Sequence, residues 1–353
     1  MPARAIILAT LIAAIVLSIG ATPLGALLET PPPIDTGANA GHYGDKQLYR
    51  DISAEVRDGA PYYRAAAQLH REHHYPLKPG ITVRLPTLAL IAAQIGWQWL
   101  RAFAFGLLAA TALAWFHALR GKASLPERLA AAALILGSAG MLAGDPAILH
   151  ERWAGLFLAL ALALRIGRRE AWPAALMAVA AALAMRELAL PYALLGLAFA
   201  LGERQWREAL GWALLILLFA AMIAFHLHHV TAQVQPGDLA SQGWTALGGP
   251  VRAIAAIVDT SPLQYLPVPV AFPLAVLPLL GWLGLGRRDA RFCLALFAGY
   301  ALMFALFARP DNFYWGAIVQ PAWFVGLAFL PRAVAQVSDA LRRGNLAGPR
   351  AAL

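Results

Sequence analysis

Charge is what this 353-residue chain lacks: Asp, Glu, Lys and Arg together make up 13% of it, against 60% hydrophobic residues. An ordinary soluble domain carries about 25% charged residues to cover its surface, so the composition excludes that class and predicts a membrane protein. Cysteine is almost absent. The single Cys293 lies inside an apolar run, which excludes an intramolecular disulfide and a cysteine-based metal site. Acidic residues are also few, 19 against 28 Lys and Arg, for a net charge of +9. The basic residues fall in short clusters between apolar runs, a pattern of loops at a membrane surface and not of a nucleic-acid interface. No fixed-period repeat is visible.

The apolar runs predict about ten spans, at 5–28, 100–119, 128–143, 153–166, 171–185, 188–202, 208–227, 266–286, 291–308 and 314–330. The first is too long for a signal-peptide core and reads as an uncleaved helix. With ten spans, the clusters Arg120/Lys122/Arg128, Arg165/Arg168/Arg169, Arg204/Arg207 and Arg287/Arg288/Arg291 share one side with the tail at 331–353. The positive-inside rule makes that side the cytoplasm and places both termini there. The expectation is an all-α polytopic protein of a bacterial inner membrane, with one domain over 1–330. Two long segments, 29–86 and 228–265, then face outward with most of the remaining acids.

The first outer segment carries its own structure. Leu48, Ile52 and Val56 form an i, i+4, i+8 stripe that ends at Gly59, predicting an amphipathic helix. Pro61 opens a second helix through about His74. The run from Thr87 to Trp97 is too short to span and reads as an interfacial helix.

Read together, Gly44-Asp45-Lys46-Gln47-Leu48-Tyr49, Val56-Arg57-Asp58-Gly59, Pro61-Tyr62-Tyr63 and Tyr75-Pro76-Leu77-Lys78-Pro79 resemble the first extracytoplasmic loop of the GT-C glycosyltransferases. Arg101 at the next span and Arg186-Glu187-Leu188 before an apolar run extend the resemblance to about residue 230. It implies a GT-C-like bundle of about ten helices that moves a sugar from a polyprenyl-phosphate donor to a hydroxyl acceptor, inverting the anomeric carbon. Membrane lipids are then further partners, and no cofactor is required.

Within that resemblance Asp45 takes the catalytic position. A carboxylate can remove the acceptor proton as the bond forms, and equally an Asp there can cap the helix that follows. Asp145, in Gly144-Asp145-Pro146, is the second acidic candidate, with a plain turn as its alternative. Lys78, Arg84, Arg101 and Arg186 are the cations available to a leaving phosphate. Tyr49, Tyr62, Glu187 and Asp311 are candidate substrate contacts. Two histidine groups, His70/His73/His74 and His226/His228/His229, have helical spacing but no matching carboxylate, which gives a weak metal signal. The tryptophans read as an interfacial belt. A transporter or flippase of a lipid-linked sugar is the competing class, although the halves of the chain do not show the internal symmetry common there.

Overall fold

Proline and glycine set the boundaries of the helices in the computed structural model, which describes residues 44–138, 148–243 and 246–346. Helix α1 (Asp45–Arg57) starts with an acid and ends with an arginine, each placed favourably for the helix dipole. Leu48, Tyr49 and Ile52 form its buried face. Helix α2 (Tyr62–Glu72) begins directly after Pro61. Helix α3 (Thr87–Ile95) is separated from α4 (Trp97–Ala118) by Gly96, whose φ of +82° is open to glycine and strained for other residues. Helix α5 (Leu125–Gly137) opens with a Ser124–Glu127 capping box.

The remaining helices are α6 (His150–Gly167), α7 (Trp172–Met185), α8 (Leu190–Gly202), α9 (Trp206–Thr231), α10 (Gly249–Asp259), α11 (Val268–Gly281), α12 (Arg287–Phe307), α13 (Gln320–Trp323) and α14 (Leu330–Leu346). Short 3-10 turns at Glu187–Ala189, Pro310–Ile318 and Phe324–Phe329 join several of them. Helix α6 is central: it packs along α7 and α4, and its first half meets the 310–318 turn.

Among the described residues, three helices, α4, α9 and α12, are long and apolar enough to cross a membrane, and a fourth crossing arises if the bent pair 310–318 and 320–340 counts as one. The ten-span expectation, and with it the GT-C-like bundle, is therefore corrected. Helices α5, α7, α8 and α11 have 13, 14, 13 and 14 residues. At 1.5 Å per residue they reach about 20 Å, short of the roughly 30 Å of hydrocarbon. Part of the apolar surface of these segments is buried against other helices, where alanine allows close approach, and part stays exposed, as at Leu129, Met177, Leu194 and Val270. The first run, 5–28, lies outside the described residues. With three or four spans among the described residues instead of nine, the alternation that placed both termini in the cytoplasm of a bacterial inner membrane is lost, and that localisation does not hold.

The tryptophans follow the same logic. Trp115, Trp212, Trp282 and Trp323 are fully buried and form part of the core. Trp115 and Trp323 donate from Nε1 to the carbonyls of Ala159 and Ala275, at 3.1 and 2.8 Å. Among the described residues, Trp99 and Trp206 are the exposed ones. Small neighbours make room for indole rings inside, so no belt forms from the first four.

Polar side chains gather in two groups. One links Lys122 to Asp289, Arg165 to Glu208, Glu203 to both Arg169 and Arg288, and Arg332 to Glu127. The other lies beneath α1 and α2.

Candidate functional site

Helices α1 and α2 form a roof over the start of α6. The roof is held by polar bonds as well as packing: Tyr62 Oη donates to the Arg84 carbonyl at 2.6 Å, and Trp97 Nε1 donates to Ser53 Oγ at 3.1 Å. Arg71 of α2 forms an ion pair with Asp238 at 2.7 Å and also donates to the Gln233 carbonyl. Each bond ties a different part of the roof to the rest of the chain.

Under the roof sits Arg84, on the extended stretch between α2 and α3. Its Nε donates to Tyr49 Oη at 3.0 Å and its Nη2 to Tyr314 Oη at 3.2 Å. The same Nη2 lies 3.9 Å from the Glu151 carboxylate. Glu151 in turn accepts from Arg186 Nε at 2.6 Å, and Arg186 pairs with Glu187 through Nη1. Two guanidiniums and two carboxylates thus alternate in a chain that runs from the roof to the break between α7 and α8.

That break places Arg186. Its backbone is extended (φ −155°, ψ 125°) between two helices, so the side chain leaves the helical path and turns inward. Glu151 and Arg186 are 2% and 3% exposed, which puts both charges in a low-dielectric setting. Burial alone would raise the Glu151 carboxyl, but Arg186 and Arg84 outweigh it and hold the group down at about 2. Burial pushes the hydroxyls of Tyr49 and Tyr62 up, so both stay protonated and able to donate.

Beside this chain lies a small cavity lined by Tyr49, Tyr62, His70, Arg84, Trp97 and His150 among others, with about 10 Å³ of free space. That is the size of one water molecule. His150 stands edge-on to Tyr49 with ring centres 5.0 Å apart, and its Nδ1 is buried without a hydrogen-bond partner. Arg152, two residues on, has Nε and Nη1 both buried and unpartnered. Trp315 Nε1 is a further buried donor in this state.

Burial lowers the two histidines of this region, His70 to about 4 and His150 to about 3. Both are therefore neutral at pH 7. Because their folded values lie below the unfolded 6.5, the unfolded chain binds more protons on acidification and stability falls with pH. The loss begins near pH 6.5 and, for His70, is complete near pH 4. A His70→Phe variant is expected to flatten that part of the profile, measured as melting temperature between pH 7 and pH 4.

Several expected site residues meet here: Tyr49, Tyr62, Arg84, Arg186 and Glu187. Others do not. Asp45 is the first residue of α1, with Gly44 as N-cap and no capping bond from a side chain, and it lies beside Tyr75. Lys78 belongs to a segment whose backbone pairs with Leu239 and Ser241. Arg101 is exposed on the first turns of α4, and Asp311 is paired with Arg309 on the surface. Asp145 lies outside the described residues. Among those described, no group of three His, Cys, Asp or Glu side chains is arranged to hold a metal ion. His70 instead faces the Pro76 carbonyl, and His226 faces that of Val83.

Sequence reasoning missed Glu151 and Arg152 as site residues. The signal available was an ionisable pair at the head of an otherwise apolar helix, which is costly to bury unless it has a use.

No protein-family model matches this chain, and no curated protein or solved structure matches it. The resemblance to GT-C glycosyltransferases is therefore not supported by any relative, and the described residues, with three or at most four spans, do not form the ten-helix architecture that family implies. The sugar-transfer activity, the inverting step through Asp45 and the glycosyltransferase class fall with it. So does the flippase alternative, which rests on the same count of spans.

Proposed function

We propose that this is a membrane-anchored binding protein whose ligand is a phosphate group carried on a lipid. The observation that carries the reading is the surplus of buried donors around α6. Arg84 and Arg186 are matched by Glu151 and Glu187, whereas Arg152 has two buried N–H groups with no acceptor. Unmatched buried donors are costly, and those of a guanidinium more so. An oxyanion with several acceptor atoms satisfies them, and guanidinium geometry suits phosphate in particular.

Two further features support a lipid carrier over a free anion. Helix α9 is largely unburied along its apolar length and presents Phe225, Leu217 and Leu218 outward, so a hydrocarbon chain has a surface to follow near the site. The amphipathic roof is of the kind that lies at a membrane interface. Because the cavity holds one water, the head group enters as the roof moves away from Arg84.

Purified protein in detergent provides the test, with farnesyl phosphate and farnesol as probes. Farnesyl phosphate is expected to bind at least tenfold more tightly than farnesol, and Arg152→Gln to remove most of that difference. Equal binding of the two probes, or an unchanged ratio in Arg152→Gln, would overturn the proposal. Inorganic phosphate competing as strongly as farnesyl phosphate would show a free-anion site instead.

A further inference from the structure

At the opposite end of α6, the fold uses its acidic side chains internally. Glu208 pairs with Arg165 at 2.7 Å, Glu203 with Arg288 and Arg169 at 2.7 and 3.0 Å, Glu127 with Arg332 at 2.8 Å, and Asp289 with Lys122 at 2.9 Å. These pairs link the ends of α4, α6 and α8 and the start of α5 to the starts of α9, α12 and α14. They also use up most of the negative charge there.

What remains exposed there is mostly basic, with Glu170 the acid among it. Arg120, Arg168, Arg204, Arg207, Arg287 and Arg291 are all exposed, and none of them is in an ion pair among the described residues. Each lies within four residues of a member of the paired network, so they surround it. Trp206 projects from the same rim with 67% of its surface exposed, between Arg204 and Arg207. An exposed indole flanked by arginines, at the first turn of a helix long enough to span, suits the boundary between head groups and hydrocarbon.

We propose that this rim is a docking surface for anionic lipid head groups, with Trp206 seated at the interface and the unpaired arginines contacting phosphates. The proposal is independent of the site under α1 and α2, which it does not touch. Charge decides the occupant: a zwitterionic surface offers the arginines no net attraction, whereas an anionic one does so within about a Debye length, roughly 8 Å at physiological salt.

The test compares phosphatidylglycerol with phosphatidylcholine on the full chain, by native mass spectrometry of the detergent-purified protein. Wild type is expected to retain phosphatidylglycerol at least tenfold over phosphatidylcholine. The triple variant Arg204→Gln/Arg207→Gln/Arg291→Gln should bring that ratio to within about twofold. Unchanged helicity by circular dichroism and unchanged farnesyl phosphate binding show that this variant is folded. Arg152→Gln should leave the lipid ratio as in wild type, so failure at one end is distinguishable from failure at the other. Equal retention of the two lipids by wild type, or an undiminished ratio in the triple variant, would overturn the proposal. Displacement of phosphatidylglycerol by a single-stranded RNA oligonucleotide at equal concentration would also overturn it and make the rim a nucleic-acid surface.

Discussion

Replacing Arg186 with methionine is expected to destabilise the protein by about 3–5 kcal/mol, because it strands the Glu151 carboxylate in a buried site. The size follows from geometry. The pair is 2.6 Å apart and its side chains are 4% and 2% exposed, so solvent cannot replace the lost partner. Arg84 lies 3.9 Å from the same carboxylate and cannot approach without releasing Tyr49 or Tyr314.

The acid limb of the stability profile distinguishes this account from a general packing defect. In wild type Glu151 titrates at about 2 in the folded state against 4.5 unfolded. A folded value below the unfolded one stabilises above pH 4.5, and the stabilisation is lost as pH falls towards 2, on the order of 3 kcal/mol in all. Without Arg186 the Glu151 carboxyl rises, and that part of the acid loss shrinks. Melting temperatures of wild type and Arg186→Met at pH 7 and pH 3 should therefore converge on acidification. A constant gap at both pH values would show that the ion pair is not the cause. The double variant Glu151→Gln/Arg186→Met removes both charges and should recover part of the loss, since a neutral pair of similar volume carries no unpaired ion.

What the sequence revealed depended on the range of the interaction behind each feature. The stripe Leu48, Ile52, Val56 closed by Gly59 is a local pattern, and the helix found there, Asp45–Arg57, has Leu48 and Ile52 buried. The helix after Pro61 is local in the same way. The number of spans is not local. A 14-residue alanine-rich segment such as α7 has the composition of a span and the length of a core helix, and only its packing against α6 tells them apart. The site shows the same limit. Arg84, Arg186 and Tyr49 stand out as ionisable or polar residues at the edges of apolar runs, but Tyr314 reaches Arg84 across 230 positions of sequence. Motif similarity in the first loop drew attention to Asp45, whose place at the first turn of α1 follows from helix chemistry alone.

The contact between α6 and the 310–318 turn carries the second large expectation. A Cβ added at Gly155 would stand 2.4 Å from the Ala317 carbonyl oxygen and 3.1 Å from that of Ile318. Both obstacles are backbone, so no side-chain rotation relieves them and the turn itself must move. Gly155→Ala is expected to cost about 1–3 kcal/mol, the range for overpacking a filled core, and Gly155→Val more. The consequence extends to the site. Tyr314 lies three residues before Ala317 and accepts from Arg84 at 3.2 Å, so a displaced turn withdraws one of the hydroxyls that fix the guanidinium. Farnesyl phosphate binding should therefore weaken in Gly155→Ala, although no atom of Gly155 lines the cavity. Gly106 is the control: it lies within α4 with open space around its Cα, and Gly106→Ala should be neutral or stabilise by up to about 1 kcal/mol through helix propensity. If Gly155→Ala melted like wild type and bound the probe equally well, the close crossing of α6 and the turn would not be what positions Tyr314.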